Sequence, residues 1–321
     1  MNFIISEMTF LRYFIPLITE GNRRNISSTV YTIGCNKYSC PIKNISSLKE
    51  LSKKYNFLVK PIQHIKNHHA PTFMIEGVGI DYLSEKHEKI VIPYMIDFIS
   101  LHKRYIDKAD HIVMPSKFIA EFYNIPQEKL LYLGSPKYDV QLDKNEILKK
   151  YNLQKDRKRA LVVFPRTRDL HKVDLARIYS YLNQAGFEIL VKARGKEPVS
   201  SRLQGDHYYI DYSWHPHDTL ELLHVSDILI NFGSTTVKEA TLLNTPLIDF
   251  NIKPKDVPRG FSFLYDYDFC SVVDPNISYE DFKFNLQKLV SKDFTHSFQN
   301  AKENHLFTTG ANKRIVDFLY E

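Results

Sequence analysis

Two stretches of this sequence place chemically capable side chains where a turn would present them. In residues 227–250, DILINFGSTTVKEATLLNTPLIDF, an apolar run ends at Gly233 and is followed by Ser234, Thr235 and Thr236 before a helix-like segment. Hydroxyls and backbone amides at a helix start suit an anion, because the first amides of a helix lack internal partners and the helix dipole is positive there. Thr236-Val237-Lys238-Glu239 also has the spacing of a capping box, in which Thr236 accepts from the amide three residues on and Glu239 reaches back. Asn244 suits a left-handed closing position, and Pro246 prevents further helix. A capped helix alone accounts for this spacing. The case for a phosphate comes from two other predicted strand ends: VVFPRTRD carries Arg166 and Arg168, and ILVKARGK carries Lys192, Arg194 and Lys196. If the three ends meet in one crevice, several cations and a helix N-terminus face a diphosphate.

The second stretch is TFMIEGVG, where Glu76 follows a predicted strand and precedes Gly77 and Gly79. A carboxylate on such a turn is placed for proton transfer; an amide acceptor of purely structural value is the competing role. His64, His68 and His69 form a His-rich tract, read as a loop more readily than as a metal site. Asp266-Tyr267-Asp268 has the Asp-x-Asp pattern of metal-dependent transferases but follows the phosphate segment, so it reads as surface acidity. Cys35 and Cys40, without a second pair of ligands, read as free thiols, as does Cys270. No metal is expected, and no cofactor beyond a nucleotide-sugar acting as substrate.

Short apolar or β-branched runs alternate with amphipathic stretches throughout, the rhythm of parallel α/β sheets. The first series reads NFIIS, a helix in TFLRYFIPLITEG, TVYTIG, a helix in SLKELSKKY, FLVKPI, TFMIEG, a helix from about Pro93 to Ala109, HIVMP, a helix in SKFIAEFY capped by Ser116, and KLLYLG before Gly134-Ser135-Pro136. Residues 140–158 are polar and read as a connection. The second series reads RALVVFP, a helix in VDLARIYSYLNQAG, FEILVKARG, YYIDYS, a helix in DTLELLHVS, DILINF, the helix after Gly233, and PLIDF. Two such series predict two Rossmann-like α/β domains, 1–145 and 146–321, facing across a cleft, with the final helix free to pack back on the N-terminal domain. Ligands are expected at the carboxyl ends of the strands.

A chain of 321 residues, 43% hydrophobic and 25% charged, has globular composition and excludes disordered and fibrous classes. No apolar run approaches the roughly 18 residues that span a bilayer. Glu7 and Arg12 interrupt the apolar N-terminus and no basic leader precedes it, so a cytoplasmic protein is expected. The net charge of +6 lies mostly in the N-terminal half, which favours an anionic partner and marks that half for peripheral contact with the inner face of a membrane. Nucleic acid is not an expected partner.

Taken together, LELLHVSDILINFGSTTVKEATLLNTPLIDF, ADHIVMPSKFIAEFYNIPQEKLLYLGSPKYD and the closing GANKRIVDFL resemble GT-B glycosyltransferases of the bacterial surface-polysaccharide type. That group is related to CDP-glycerol glycerophosphotransferases and to the UDP-N-acetylglucosamine 2-epimerase fold. The resemblance implies a metal-independent transfer of sugar from a nucleotide-activated donor to a glycan or lipid-linked acceptor. It implies that Ser234, Thr235 and Thr236, with Arg166, Arg168, Lys192 and Arg194, meet the donor phosphates, and that Glu239 holds the ribose, a role in competition with capping. Glu76, the expected general base, is similar to the acidic-Gly motif of bacterial sialyltransferases, and Trp214-His215-Pro216 to their His-Pro pair, which places His215 at the nucleoside. The chain departs from the glycerophosphotransferase pattern in having Asn-Phe-Gly-Ser and KARGKEP, and from the epimerase pattern in having one helix Glu and FMIEG. Epimerase, hydrolase or glycerophosphotransferase activity, and a non-catalytic nucleotide- or glycan-binding module, stand as alternatives.

Overall fold

The structure is a computed structural model and describes residues 1–34, 45–94, 107–122, 127–193, 199–210, 215–252, 262–305 and 309–321. It divides into two compact units, residues 1–140 with 304–321, and residues 141–303.

The first unit is built on a seven-stranded parallel sheet of β1 (Asn2–Ile5), β2 (Thr29–Thr32), β3 (Leu58–Pro61), β4 (Thr72–Ile75), β5 (Lys89–Ile92), β6 (His111–Val113) and β7 (Leu130–Leu131), in the order β3-β2-β1-β4-β5-β6-β7. The central strands β1 and β4 are buried along their whole length, as continuous apolar runs are when both faces of a parallel sheet are covered. β1 registers Asn2 with Thr72 and Phe3 with Phe73, and the Phe3 ring stacks 5.2 Å from Phe73 and lies 5.1 Å from Phe14. Each such ring, fully buried, contributes about 1.5–3 kcal/mol of transfer free energy. Phe14 belongs to the helix Leu11–Arg23, which is buried on nearly every side because the C-terminal helix Ala311–Tyr320 covers its outer face.

Hydrogen bonds hold that last helix to this unit. Asp139 accepts from the amides of Gly310 (2.9 Å) and Asn312 (2.8 Å), satisfying donors at the helix start. Arg314 donates to the Leu133 carbonyl at 2.9 Å, and Arg24 pairs with Asp317. Lys313 and Arg24 hydrogen-bond the Asp317 carboxyl and hold it down at about 2. Ser116 caps the helix Lys117–Phe122 by accepting from the Ile119 amide at 3.2 Å.

The second unit carries a six-stranded parallel sheet of β8 (Arg159–Val163), β9 (Glu188–Ala193), β10 (His207–Ile210), β11 (Ile228–Asn231), β12 (Leu247–Phe250) and β13 (Cys270–Val273), in the order β10-β9-β8-β11-β12-β13. The helices Leu175–Gln184, Asp218–His224 and Val237–Leu242 lie between its strands in sequence and Tyr279–Ser291 follows the last of them; the polar connection holds the helix Lys144–Lys150, capped by Asp143. Buried rings stack from Phe232 through Phe250 (5.3 Å) to Phe282 (6.3 Å). At the amino end of β8, Arg159 is 1% exposed and its guanidinium lies 2.7 Å from Glu188. Both sheets are doubly wound and parallel, as expected. β5 and β13 are additional to the strands read from the sequence. Most of the helix expected from Pro93 lies outside the described residues. Among the described residues no helix is long and apolar enough to cross a membrane.

Candidate functional site

In both sheets the chain winds outward through three strands and then crosses back to lay the fourth beside the first. The strand order therefore reverses between β1 and β4 in one unit and between β8 and β11 in the other. Loops diverge at such a switch point and leave a crevice outside the carboxyl ends of the two strands.

In the second unit, β11 delivers Phe232-Gly233-Ser234-Thr235-Thr236 to that edge. Gly233 has φ +65, a conformation glycine adopts without a Cβ penalty. Its amide donates to Asp249 at 2.8 Å, and the same Asp249 oxygen accepts from the Asn231 side-chain amide at 2.7 Å. Asn231 also donates to the Ser234 carbonyl at 3.0 Å. Asp249 and Asn231 are fully buried, so these bonds fix the turn from beneath. The Ser234 and Thr236 hydroxyls are 3.0 Å apart, and the Thr236 amide donates to Ser234 Oγ at 3.4 Å. Ser234 is half-buried and Thr235 exposed at the tip.

The capping box is corrected by the structure. Thr236 already has helical dihedrals (φ −61, ψ −15) and makes no side-chain cap bond, because a capping hydroxyl reaches the N2 or N3 amide only from an extended backbone. Its hydroxyl faces Ser234 instead. Glu239 is buried, 5% exposed. Asn244 is left-handed at φ +57, and the Thr245 amide bonds back to Ala240 at 2.9 Å, closing the helix before Pro246.

The end of β8, across the same switch point, carries Arg166 and Arg168, both exposed. Arg168 lies 3.8 Å from Asp169 and Lys172 lies 2.8 Å from it. Burial pushes the Asp169 carboxyl up, but Lys172, Arg168 and Arg166 outweigh it and hold it below the ordinary carboxylate value. Lys192, near the end of β9, is placed differently: it is 6% exposed, donates to the Ala193 carbonyl at 3.0 Å and lies 3.5 Å from Asp218. Its charge is thus matched inside the protein. Arg194, Lys196 and Trp214 lie outside the described residues, as do Cys35 and Cys40. His215 is half-buried in the loop that leads from β10 to the helix Asp218–His224.

Sequence reasoning passed over Asp249 and Asp218. A lone carboxylate within the apolar strand PLIDF was the available signal for Asp249. Deeper still, Glu221 accepts from Lys150 (2.5 Å) and Tyr151 (2.6 Å). Burial, that hydrogen bond and the Glu221 charge push the Tyr151 hydroxyl far up, and burial chiefly pushes neighbouring Tyr209 to about 12. Both phenols therefore keep their protons at neutral pH.

In the first unit, Glu76 leaves β4 at its switch point with β1. Its φ is +50, followed by Gly77 at φ +71 and Gly79 at φ +91. A left-handed glutamate stores strain, and such residues concentrate at functional sites. The side chain is half-buried. Glu7 follows β1 at the same edge and accepts from Thr9 Oγ1 at 3.1 Å; it carries the only other carboxylate in that pair of loops, Ser6–Phe10 and Glu76–Gly79.

The remaining candidates make contacts of their own. His64, His68 and His69 are exposed, His68 sits 3.3 Å from Lys60, and His69 meets the buried His87 edge-on at 5.2 Å. Asp268 pairs with Lys292 and accepts from Ser297 at 2.6 Å; the Lys292 hydrogen bond is the main cause holding its pKa down. Among the described residues no three His, Cys, Asp or Glu side chains gather to hold a metal ion.

Comparison with known proteins adds the following. A family model described as "Protein of unknown function (DUF354)" matches residues 84–266, more than half of the chain. No curated protein matches the sequence. Among solved structures, the wall teichoic acid polymerase TagF is similar at a TM-score of 0.68 and 14% identity, over 99% of this chain and 88% of that one. A putative UDP-N-acetylglucosamine 2-epimerase from Listeria monocytogenes is similar at 0.62 and 10% identity, over 98% and 94%. A glycosyltransferase from Rickettsia africae is similar at 0.59 and 11% identity, over 99% and 97%. The chain has a GT-B-like glycosyltransferase fold.

Proposed function

The chain belongs to the DUF354 family, and for it we propose a nucleotide-sugar glycosyltransferase that passes a sugar to a glycan or lipid-linked acceptor in surface polysaccharide synthesis. The observation that carries this reading is the pairing of two switch points in one chain, one presenting a braced hydroxyl turn and the other a strained carboxylate. The fold likeness to a glycosyltransferase and to a wall teichoic acid polymerase supports it.

In this reading the turn Gly233–Thr236 and Arg166 meet the donor diphosphate. As the bond from the anomeric carbon to phosphate breaks, negative charge grows on the leaving oxygen. Pre-placed donors then stabilise the transition state more than the ground state. Asp249 holds the Gly233 turn in place and does not itself touch substrate. Glu76 takes the proton from the acceptor hydroxyl as it attacks. His215 and Glu239 contact the nucleoside. The leaving charge is met by protein groups, so turnover persists in excess chelator; loss with EDTA and recovery with magnesium or manganese would reopen Asp266 and Asp268.

Thermal-shift measurements with UDP, GDP, CDP, CMP and TDP test the reading first, since a ligand that binds the native state raises its melting temperature by mass action. One nucleotide should stabilise, and its sugar conjugate should then be turned over only with an acceptor. Turnover without an acceptor favours an epimerase or hydrolase, which the likeness to the putative 2-epimerase supports. Tight nucleotide binding with no turnover of any donor favours a binding module.

A further inference from the structure

The β3 edge of the first unit combines uncompensated positive charge with exposed apolar side chains. Lys49, Lys53 and Lys54 project from the helix Ile45–Tyr55, Lys60 lies on β3 and Lys66 in the turn after it; all but the half-buried Lys60 are exposed. Among the described residues none of these five makes an ion pair, and Glu50 is the one acidic residue from 45 to 69. Other lysines of the same unit pair with carboxylates: Lys89 with Asp110, Lys108 with Asp81, and Lys117 with Glu121. Lys54 leans instead over the Tyr55 ring, 5.1 Å from its centroid.

On β3 itself, which the helix Ile45–Tyr55 contacts, Leu58 is 59% and Val59 37% exposed. They stand on β3, the last strand of the sheet among the described residues, and as consecutive strand residues they lean to opposite faces, so a partner meets both only edge-on. A soluble polyanion would engage the lysines and gain little from a bare leucine and valine. A partner with a negatively charged surface and an apolar interior engages both, and that is the combination by which proteins hold to anionic bilayers without spanning them.

We propose that the β3 edge of the first unit, with exposed Leu58 and Val59 on the strand and Lys49, Lys53, Lys54 and Lys66 on the helix before it and the turn after it, docks on an anionic lipid surface. The proposal concerns binding alone and stands apart from the transfer reaction, so failure of either leaves the other intact.

The full chain is mixed with phosphatidylcholine vesicles, with and without phosphatidylglycerol, and the bound fraction is read by sedimentation. Binding is expected only with phosphatidylglycerol and should weaken as salt is raised. The triple variant Lys49→Ala, Lys53→Ala, Lys54→Ala should bind about 100-fold less, at about fivefold per lysine near a charged surface. Leu58→Ser with Val59→Ser should weaken vesicle binding while leaving any retention by soluble polyphosphate unchanged. Unaltered melting curves establish that each exposed substitution leaves the fold intact. No binding to phosphatidylglycerol vesicles, or binding undiminished in the lysine variant, overturns the proposal. Vesicle binding that survives the Leu58 and Val59 substitutions and is displaced by polyphosphate also overturns it, in favour of an acidic polymer.

Discussion

The turns after β4 and β11 occupy the same topological position in two sheets and are built in opposite ways. Each begins with left-handed backbone just past its strand, at Glu76 and Gly77 in the first and at Gly233 in the second. At Gly233 the conformation costs little, and a buried carboxylate from the next strand, Asp249, anchors the amide from below. The turn then offers hydroxyls and amides outward. At Glu76 the strained position is given to the ionisable residue itself. Topology supplies the same exposed edge twice; what lies beneath each turn decides whether it offers donors to an anion or a carboxylate to a proton.

Glu76→Gln tests this contrast most severely. It keeps shape and the left-handed backbone, so donor binding and the melting curve should hold while turnover falls about 10²- to 10⁴-fold. A stable variant with near wild-type turnover would remove the base assignment and direct attention to His64, His68 and His69. Loss of stability with little kinetic change would make Glu76 structural.

Asp249→Ala strikes the opposite turn from beneath and leaves two buried donors without their acceptor. It should destabilise the protein by about 2–4 kcal/mol in denaturant titration. Nucleotide affinity should fall with it, and full affinity retained at low temperature would mean that the turn does not hold the ligand. Thr235→Ala with Thr236→Ala removes two of the three turn hydroxyls and should weaken nucleotide binding about 10- to 100-fold, the worth of hydrogen bonds to a charged group. Because Thr236 makes no cap bond, stability should fall by less than the about 0.5–2 kcal/mol typical of a lost cap. Unchanged affinity in the folded double variant would cancel the phosphate assignment.

The smallest expected effect lies in Glu76→Gly. Relief of about 1–2 kcal/mol of left-handed strain, less about 0.5–1 kcal/mol of glycine entropy, should leave a net gain of about 0.5–1 kcal/mol. A gain in stability accompanied by lost turnover would identify strain retained for function, whereas a loss of stability would show that the Glu76 side chain holds the turn together.

Much of the fold was legible because a parallel strand buried on both faces must be a short continuous apolar run. NFII, TFMI, RALVV and ILIN satisfy that without reference to anything else in the chain. KIVI at β5 and CSVV at β13 escaped notice, being four-residue runs beside proline or on an edge whose pairing is set by partners distant in sequence. Left-handed Asn244 and the Ser116 cap were readable because local backbone geometry selects those residue types. The capping box failed for a related reason: its spacing is correct, but the turn above it winds Thr236 into helical geometry, which no spacing rule reports.

Sequence alone therefore determined the two α/β series, the glycine at the end of β11 and the placement of hydroxyls, carboxylate and basic residues just beyond strands, since each is written in local pattern and propensity. Only the tertiary structure decided that β8 lies beside β11 and β1 beside β4, that Asp249 reaches under the Gly233 turn, and that Lys192 faces Asp218 while Arg166 remains exposed. Those outcomes depend on contacts between residues far apart in the chain. Burial and pairing set there determine whether a charge is consumed within the protein or left for a ligand, and no local pattern records it.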